Sequence, residues 1–179
     1  MKKVLIIILG VLILLGVSFL ILKYQTKKFS PAETASFKTG DFALEIVYCR
    51  PYKKGRLIFG EATEGALLPY GKYWRVGANE ATQISFNQPI NFGGKRIEAG
   101  KYNLYAYPDR DQWDIVLGSD WNRWGATEPS ASNEVMRIKA QASNNTPEEE
   151  QFTITITAEN ITLHWDQTQV TIPFEVLEK

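Results

Sequence analysis

The sequence predicts an all-β domain, an antiparallel β-sandwich of jelly-roll or immunoglobulin-like type, carried behind one amino-terminal transmembrane helix. Three observations lead there. From Asp41 onward apolar residues recur with a period of two, and stretches with helical spacing are almost absent. Turn-forming residues return about every eight to twelve positions, the spacing of a sandwich or barrel. Ahead of this, Val4 to Leu22 is an unbroken run of apolar or small residues, which as a helix spans roughly 28 Å, close to the thickness of a bilayer core.

That run is longer than the apolar core of a cleaved signal peptide, and its one approximation to a small-x-small site, Gly16-Val17-Ser18, lies inside it. A retained anchor over residues 1–22 is therefore expected. Lys2 and Lys3 before the run are answered by Lys23, Lys27 and Lys28 after it, so counting positive charge leaves orientation nearly tied. The very short charged tail resembles an uncleaved signal, which puts the globular part on the periplasmic or extracellular side. Residues 23–40 are polar, carry Ser30-Pro31 and show no period, and read as a linker. The β-domain is assigned to 41–179.

Phe42 to Tyr48 is the first strand, with Phe42, Leu44, Ile46 and Tyr48 inward. A basic corner from Arg50 to Arg56, punctuated by Pro51 and Gly55, leads into a strand at Leu57 to Gly60. The stretch from Leu68 to Phe86 is the densest in aromatic, glycine and charged residues. It reads as a hairpin of Tyr73–Val76 and Ala81–Phe86 reversed at Gly77 to Glu80, since glycine and asparagine tolerate positive φ. Gly93-Gly94 joins Ile90–Phe92 to Lys95–Ile97, and turns at Glu98-Ala99-Gly100 and Pro108 to Asp111 frame strands Lys101–Tyr107 and Gln112–Leu117.

The alternation is clearest at the carboxyl end. Phe152, Ile154 and Ile156, then Ile161, Leu163 and Trp165, then Val170, Ile172 and Phe174 face a core while threonines face water, giving three antiparallel strands. Glu148-Glu149-Glu150 reads as a solvated loop. Gly118 to Asn133, long and aperiodic yet carrying Trp121 and Trp124, is a loop of the length that usually has a function or is mobile.

Charge is balanced at 20 basic and 20 acidic residues, which argues against a nucleic acid partner. A single cysteine, Cys49, permits no internal disulfide. A single histidine, His164, with no Gly-x-Ser-x-Gly or His-Glu-x-x-His pattern, supplies neither a triad nor a usual zinc site. No catalytic residue, metal or cofactor is therefore assigned.

Lys54 to Gly60, Leu68-Pro69-Tyr70-Gly71, Trp74 to Thr82, Gly94-Lys95 and Ala99 to Tyr102 together resemble the bacterial domain-of-unknown-function family 2911. The likeness covers roughly Asp41 to Lys179. It implies an exported or envelope-associated β-domain and no particular reaction, substrate or cofactor. Cys49 and Tyr52 stand where the family pattern has serine, and Val76 where it has threonine.

Arg56, Tyr70, Trp74, Arg75, Asn79 and Glu80 are the candidate ligand-binding residues. Arg75 or Arg56 would grip an anionic or polyhydroxylated small molecule or glycan, Asn79 and Glu80 would hydrogen bond to it, and Trp74 or Tyr70 would form a stacking wall. The competing reading is an ion pair between Arg75 and Glu80 that pins the hairpin, in which case removing Arg75 would cost about 3–5 kcal/mol. The basic corner of Arg50, Lys53, Lys54 and Arg56 can attract phosphate, lipid headgroups or acidic glycans, or be a solvated turn. The expected function is a non-catalytic binding or scaffolding module held at a membrane. The alternative is a hydrolase acting on glycans or another polar substrate through Glu80 with Arg75. No feature names a protein partner.

Overall fold

The computed structural model describes residues 2–177, with side chains described at 8–18 and from 27 onward. Helix α1 (Lys2–Phe29) leads the chain. Among the described residues no helix is long and apolar enough to cross a membrane. Residues 4–7 and 19–22 of the expected span lie outside those whose side chains are described, and every side chain from 8 to 18 is exposed.

The stretch after the helix differs from the expected linker. It forms β1 (Ala32–Thr39), paired in full register with β2 (Phe42–Cys49) through a turn at Gly40. Few large side chains mark it, but Ala35 and Phe37 pack on the core, and the Phe37 ring meets Phe42 and Phe174. Backbone pairing along β2 supplies the rest of its hold.

Two short parallel strands follow, β3 (Phe59–Gly60) and β4 (Leu68–Pro69). Next come β5 (Thr82–Phe86), β6 (Ile90–Phe92), β7 (Lys95–Ile97), β8 (Gly100–Tyr107) and β9 (Gln112–Gly118). The last four are β10 (Glu134–Ser143), β11 (Glu149–Ile156), β12 (Asn160–Asp166) and β13 (Thr168–Val176). The main sheet runs β1-β2-β5-β8-β9-β10-β13-β12-β11, and β6 pairs with both β13 and β7. Glu149 and Glu150, expected in a loop, begin β11.

All pairings in this sheet are antiparallel, and the two ends of the path do not close into a barrel. β10 pairs with β9 over most of its length and with β13 at Ala142 and Ser143, which carries the sheet from one layer to the other. The far edge curls back toward β2. Tyr52 bridges Gln151, Phe152 N–H donates to Pro51 O (2.9 Å), and Ile154 N–H donates to the Tyr48 hydroxyl (2.9 Å). Between the layers lies one core, centred on the rings of Phe59, Trp74, Trp113, Phe152 and Trp165.

The expected hairpin of Tyr73–Val76 with Ala81–Phe86 does not form. β5 lies between β2 and β8, with Thr82 opposite Leu104. Trp74 bridges Ala106 on the same edge of β8, with N–H···O bonds of 2.8 Å in both directions. Trp74 and β5 are thus in line, and residues 75–81 are an excursion out of that line.

On the outer side of β9 and β10, Arg137 pairs with Glu134 (2.6 Å) and Asp114 (3.1 Å), while Lys139 holds the other oxygen of Asp114 (2.6 Å). The Arg137 hydrogen bond draws Glu134 below the usual carboxylate range. Burial pushes Asp114 up, but the bonds from Lys139 and Arg137 outweigh it and leave Asp114 lowered. A carboxyl depressed in the folded state contributes stability above its unfolded value of about 4 and loses it as pH falls through the folded value. The urea midpoint should therefore drop from pH 6 to pH 3, and drop less in an Asp114→Asn, Glu134→Gln double variant. Equal slopes in the two proteins would refute this role.

Candidate functional site

The excursion at 75–81 is held by its own backbone. Val76, Gly77 and Asn79 have φ of 52°, 148° and 60°. Positive φ at a β-branched residue is an outlier that survives only where surroundings over-determine it. Here the Val76 side chain is fully buried, its carbonyl accepts from Thr82 Oγ1 (2.7 Å), and Trp74 Nε1 donates to Gly77 O (3.2 Å). The long loop after β9 clasps the outside. Ala81 N–H donates to Arg123 O (3.1 Å), Gly125 N–H to Asn79 O (3.0 Å), and the Tyr73 hydroxyl to Gly125 O (3.2 Å). Trp124, although exposed, bridges Glu80 through its backbone.

Arg56, Trp74, Arg75 and Asn79 line one open cleft of about 610 Å³. Lys54 and Trp165 join them, the first read from sequence as part of a basic corner and the second as core. Trp74 and Trp165 stack at 25° with centroids 6.1 Å apart. The last residue of α1, Phe29, lies under Lys54 Nζ, 4.6 Å from its ring centre. Arg56 is exposed and hooked onto the carbonyls of Lys53 (2.9 Å) and Tyr52 (2.5 Å).

Tyr70 and Glu80 are not in the cleft lining. Tyr70 packs against the core beside β4, where burial raises its hydroxyl pKa. Glu80 approaches Lys27 Nζ (3.3 Å) and Cys49 Sγ (3.6 Å). The expected Arg75–Glu80 ion pair is not present, because the turn through Val76 to Asn79 sends the two side chains to different partners. Burial pushes Glu80 up, but its own N–H and Lys27 outweigh that and leave it lowered. Burial, reinforced by the Glu80 charge, raises the Cys49 thiol. Among the described residues no group of three or more metal-ligating side chains is assembled.

Lys54, Arg56 and Arg75 face the cleft with no carboxylate partner among the described residues. The Glu150 carboxylate accepts the Lys54 backbone N–H (2.9 Å). Arg75 donates Nη1 to Asn79 O (3.0 Å), Gly125 sits against its stem, and burial lowers its pKa. Trp165 is 2 % exposed, and its Nε1 has no hydrogen-bond partner among the described residues. The set offers donors and positive charge above an aromatic floor.

Because Arg75 lacks a carboxylate, the cost of 3–5 kcal/mol expected for breaking a buried pair does not apply. Arg75→Met keeps the aliphatic stem under Gly125 and removes an uncompensated charge. Its stability by urea titration should fall within about 1 kcal/mol of wild type. A loss of 3 kcal/mol or more, on the order of a broken buried pair, would show that the guanidinium is structural.

Comparisons with curated proteins and with solved structures gave no significant match. The family model described as "Protein of unknown function (DUF2911)" matches residues 30–174, which takes in β1 and every cleft residue except Phe29. The chain belongs to that family.

Proposed function

We propose that this protein is a single-pass, membrane-anchored β-sandwich whose domain lies on the periplasmic or extracellular side and binds a polar, negatively charged small molecule or glycan without covalent chemistry. One observation carries the binding reading: three cations, Lys54, Arg56 and Arg75, share a cleft with no opposing carboxylate among the described residues. The anchor reading rests on Val4 to Leu22, long enough as a helix to cross roughly 28 Å of hydrocarbon. The hydrolase alternative has less support, since Glu80 and Arg75 do not meet and, among the described residues, no carboxylate lines the cleft.

Two measurements test this reading. Full-length protein should remain with membranes through alkaline carbonate, because such a span inserts effectively irreversibly; release into the wash would refute the anchor. In neutral detergent, a panel of sugar phosphates, sulfated sugars and uronic acids should contain one that raises the melting temperature. At a hundredfold excess over its Kd a ligand stabilises by about 2.7 kcal/mol, and Arg75→Met should abolish the shift. A panel without any shift would refute the binding reading.

A further inference from the structure

The cleft has a second property besides charge: it is amphiphilic, and it is placed at the end of α1. Phe29 and Ser30 form part of its wall, and Leu67 and Leu68 line it beside the cations. Phe29, Leu57 and Leu67 are 54 %, 44 % and 41 % exposed. Leu57 adjoins the mouth, its carbonyl accepting the Leu67 N–H (2.9 Å). Large apolar side chains left in solvent around a cationic cleft are what an interfacial surface presents to a bilayer.

The helix sets the depth. From Leu22, the end of the apolar run, to Phe29 the helical rise is roughly 10 Å. The polar headgroup layer outside the hydrocarbon is roughly 5–8 Å thick on each side. The helix end also meets the cleft wall, where Asn79 Nδ2 donates to Ser30 O (3.5 Å), and Lys27 pairs with Glu80 nearby (3.3 Å). A protein anchored by α1 therefore holds the cleft at the edge of the headgroup layer.

Resting on the anchored, anion-binding reading above, we infer that the group bound is the phosphate of a membrane phospholipid headgroup. Lys54 and Arg56 reach the phosphate oxygens from the exposed rim, and Arg75 closes from the inner wall. Phe29, Leu57 and Leu67, all exposed, lie beside that headgroup in the interfacial layer. A soluble phosphate has the same anionic chemistry but leaves these three apolar side chains in water.

Full-length protein in neutral detergent is titrated with phosphatidylglycerol, with diacylglycerol of the same chains, and with inorganic phosphate, and bound species are counted by native mass spectrometry. Phosphatidylglycerol should be retained and diacylglycerol should not. A Lys54→Gln, Arg56→Gln double variant, both exposed positions, should weaken retention roughly tenfold or more. Arg96→Gln, an exposed cation on β7 outside the cleft, should leave it unchanged. Equal weakening by Arg96→Gln and the double variant would overturn the site. If inorganic phosphate binds through Lys54 and Arg56 while phosphatidylglycerol does not, the lipid inference falls and the anion cleft stands. If neither binds, and no polar anion shifts the melting temperature, both fall.

Discussion

Trp74→Ala is expected to lower stability by about 3–5 kcal/mol, the usual cost of emptying a buried tryptophan site. Trp74 is 3 % exposed, and its ring contacts Phe152, Phe59, Trp113 and Trp165 at centroid distances of 5.0, 5.6, 5.7 and 6.1 Å. Those four rings come from β11, β3, β9 and β12, so one side chain joins both layers of the sheet. Its indole N–H also ties down the Gly77 carbonyl. The substitution therefore opens a cavity among aromatics and releases the excursion that carries Arg75. Against a total stability of about 5–15 kcal/mol, the variant should be marginal, with a urea midpoint far below wild type. Trp74→Phe, which keeps a ring but loses the donor, should fall between the two. A midpoint for Trp74→Ala within about 1 kcal/mol of wild type would place the centre of the core elsewhere.

The strands that could be read in the sequence are those whose faces differ sharply. In β11, β12 and β13 large aliphatic and aromatic residues alternate with threonine, and this local pattern suffices to set strand and face. β10 escaped reading because its inward positions at Ala140 and Ala142 are small, so the alternation with Lys139 and Gln141 carries little hydrophobic contrast. β1 is an edge strand with only Ala35 and Phe37 turned to the core, and polar edges resemble linkers. Positive φ at Gly77 and Asn79 follows from residue type, yet no hairpin forms there. The partners of β5 are β2 and β8, and such non-local pairing is not encoded in the spacing of nearby residues.

The site was legible to a similar degree. Arg56, Trp74, Arg75 and Asn79 do converge on one cleft, because all but Arg56 lie on or beside the excursion. Glu80 departs from them because the turn at Val76, an unusual residue for positive φ, cannot be anticipated from its side chain. Alternation along β12 marks Trp165 as buried, and it is. Its second role, as cleft floor with an unpaired N–H, depends on where the sheet curls.

Gly77→Ala is the substitution that tests the excursion itself. Gly77 has φ of 148°, a region L-residues rarely adopt, and a Cβ there would stand 2.8 Å from the carbonyl oxygen and 3.5 Å from the nitrogen of Cys49, and 3.2 Å from Thr82 Oγ1. The nearest obstacle is backbone, at the end of β2, where Cys49 is paired with Ala32, so it cannot swing aside as a flexible side chain would. Backbone strain and the close approach together should cost about 3 kcal/mol. Gly71→Ala provides the comparison, since Gly71 also has positive φ (70°) but nothing within 4 Å of its Cβ position. It should cost only the left-handed penalty of about 1–2 kcal/mol. The larger loss at Gly77 would come with a displaced cleft wall, because Arg75, Ala78 and Asn79 move with the backbone displaced from Cys49. Equal costs at the two glycines would mean that β2 can yield at Cys49, and that the excursion is not fixed by its contact with that strand.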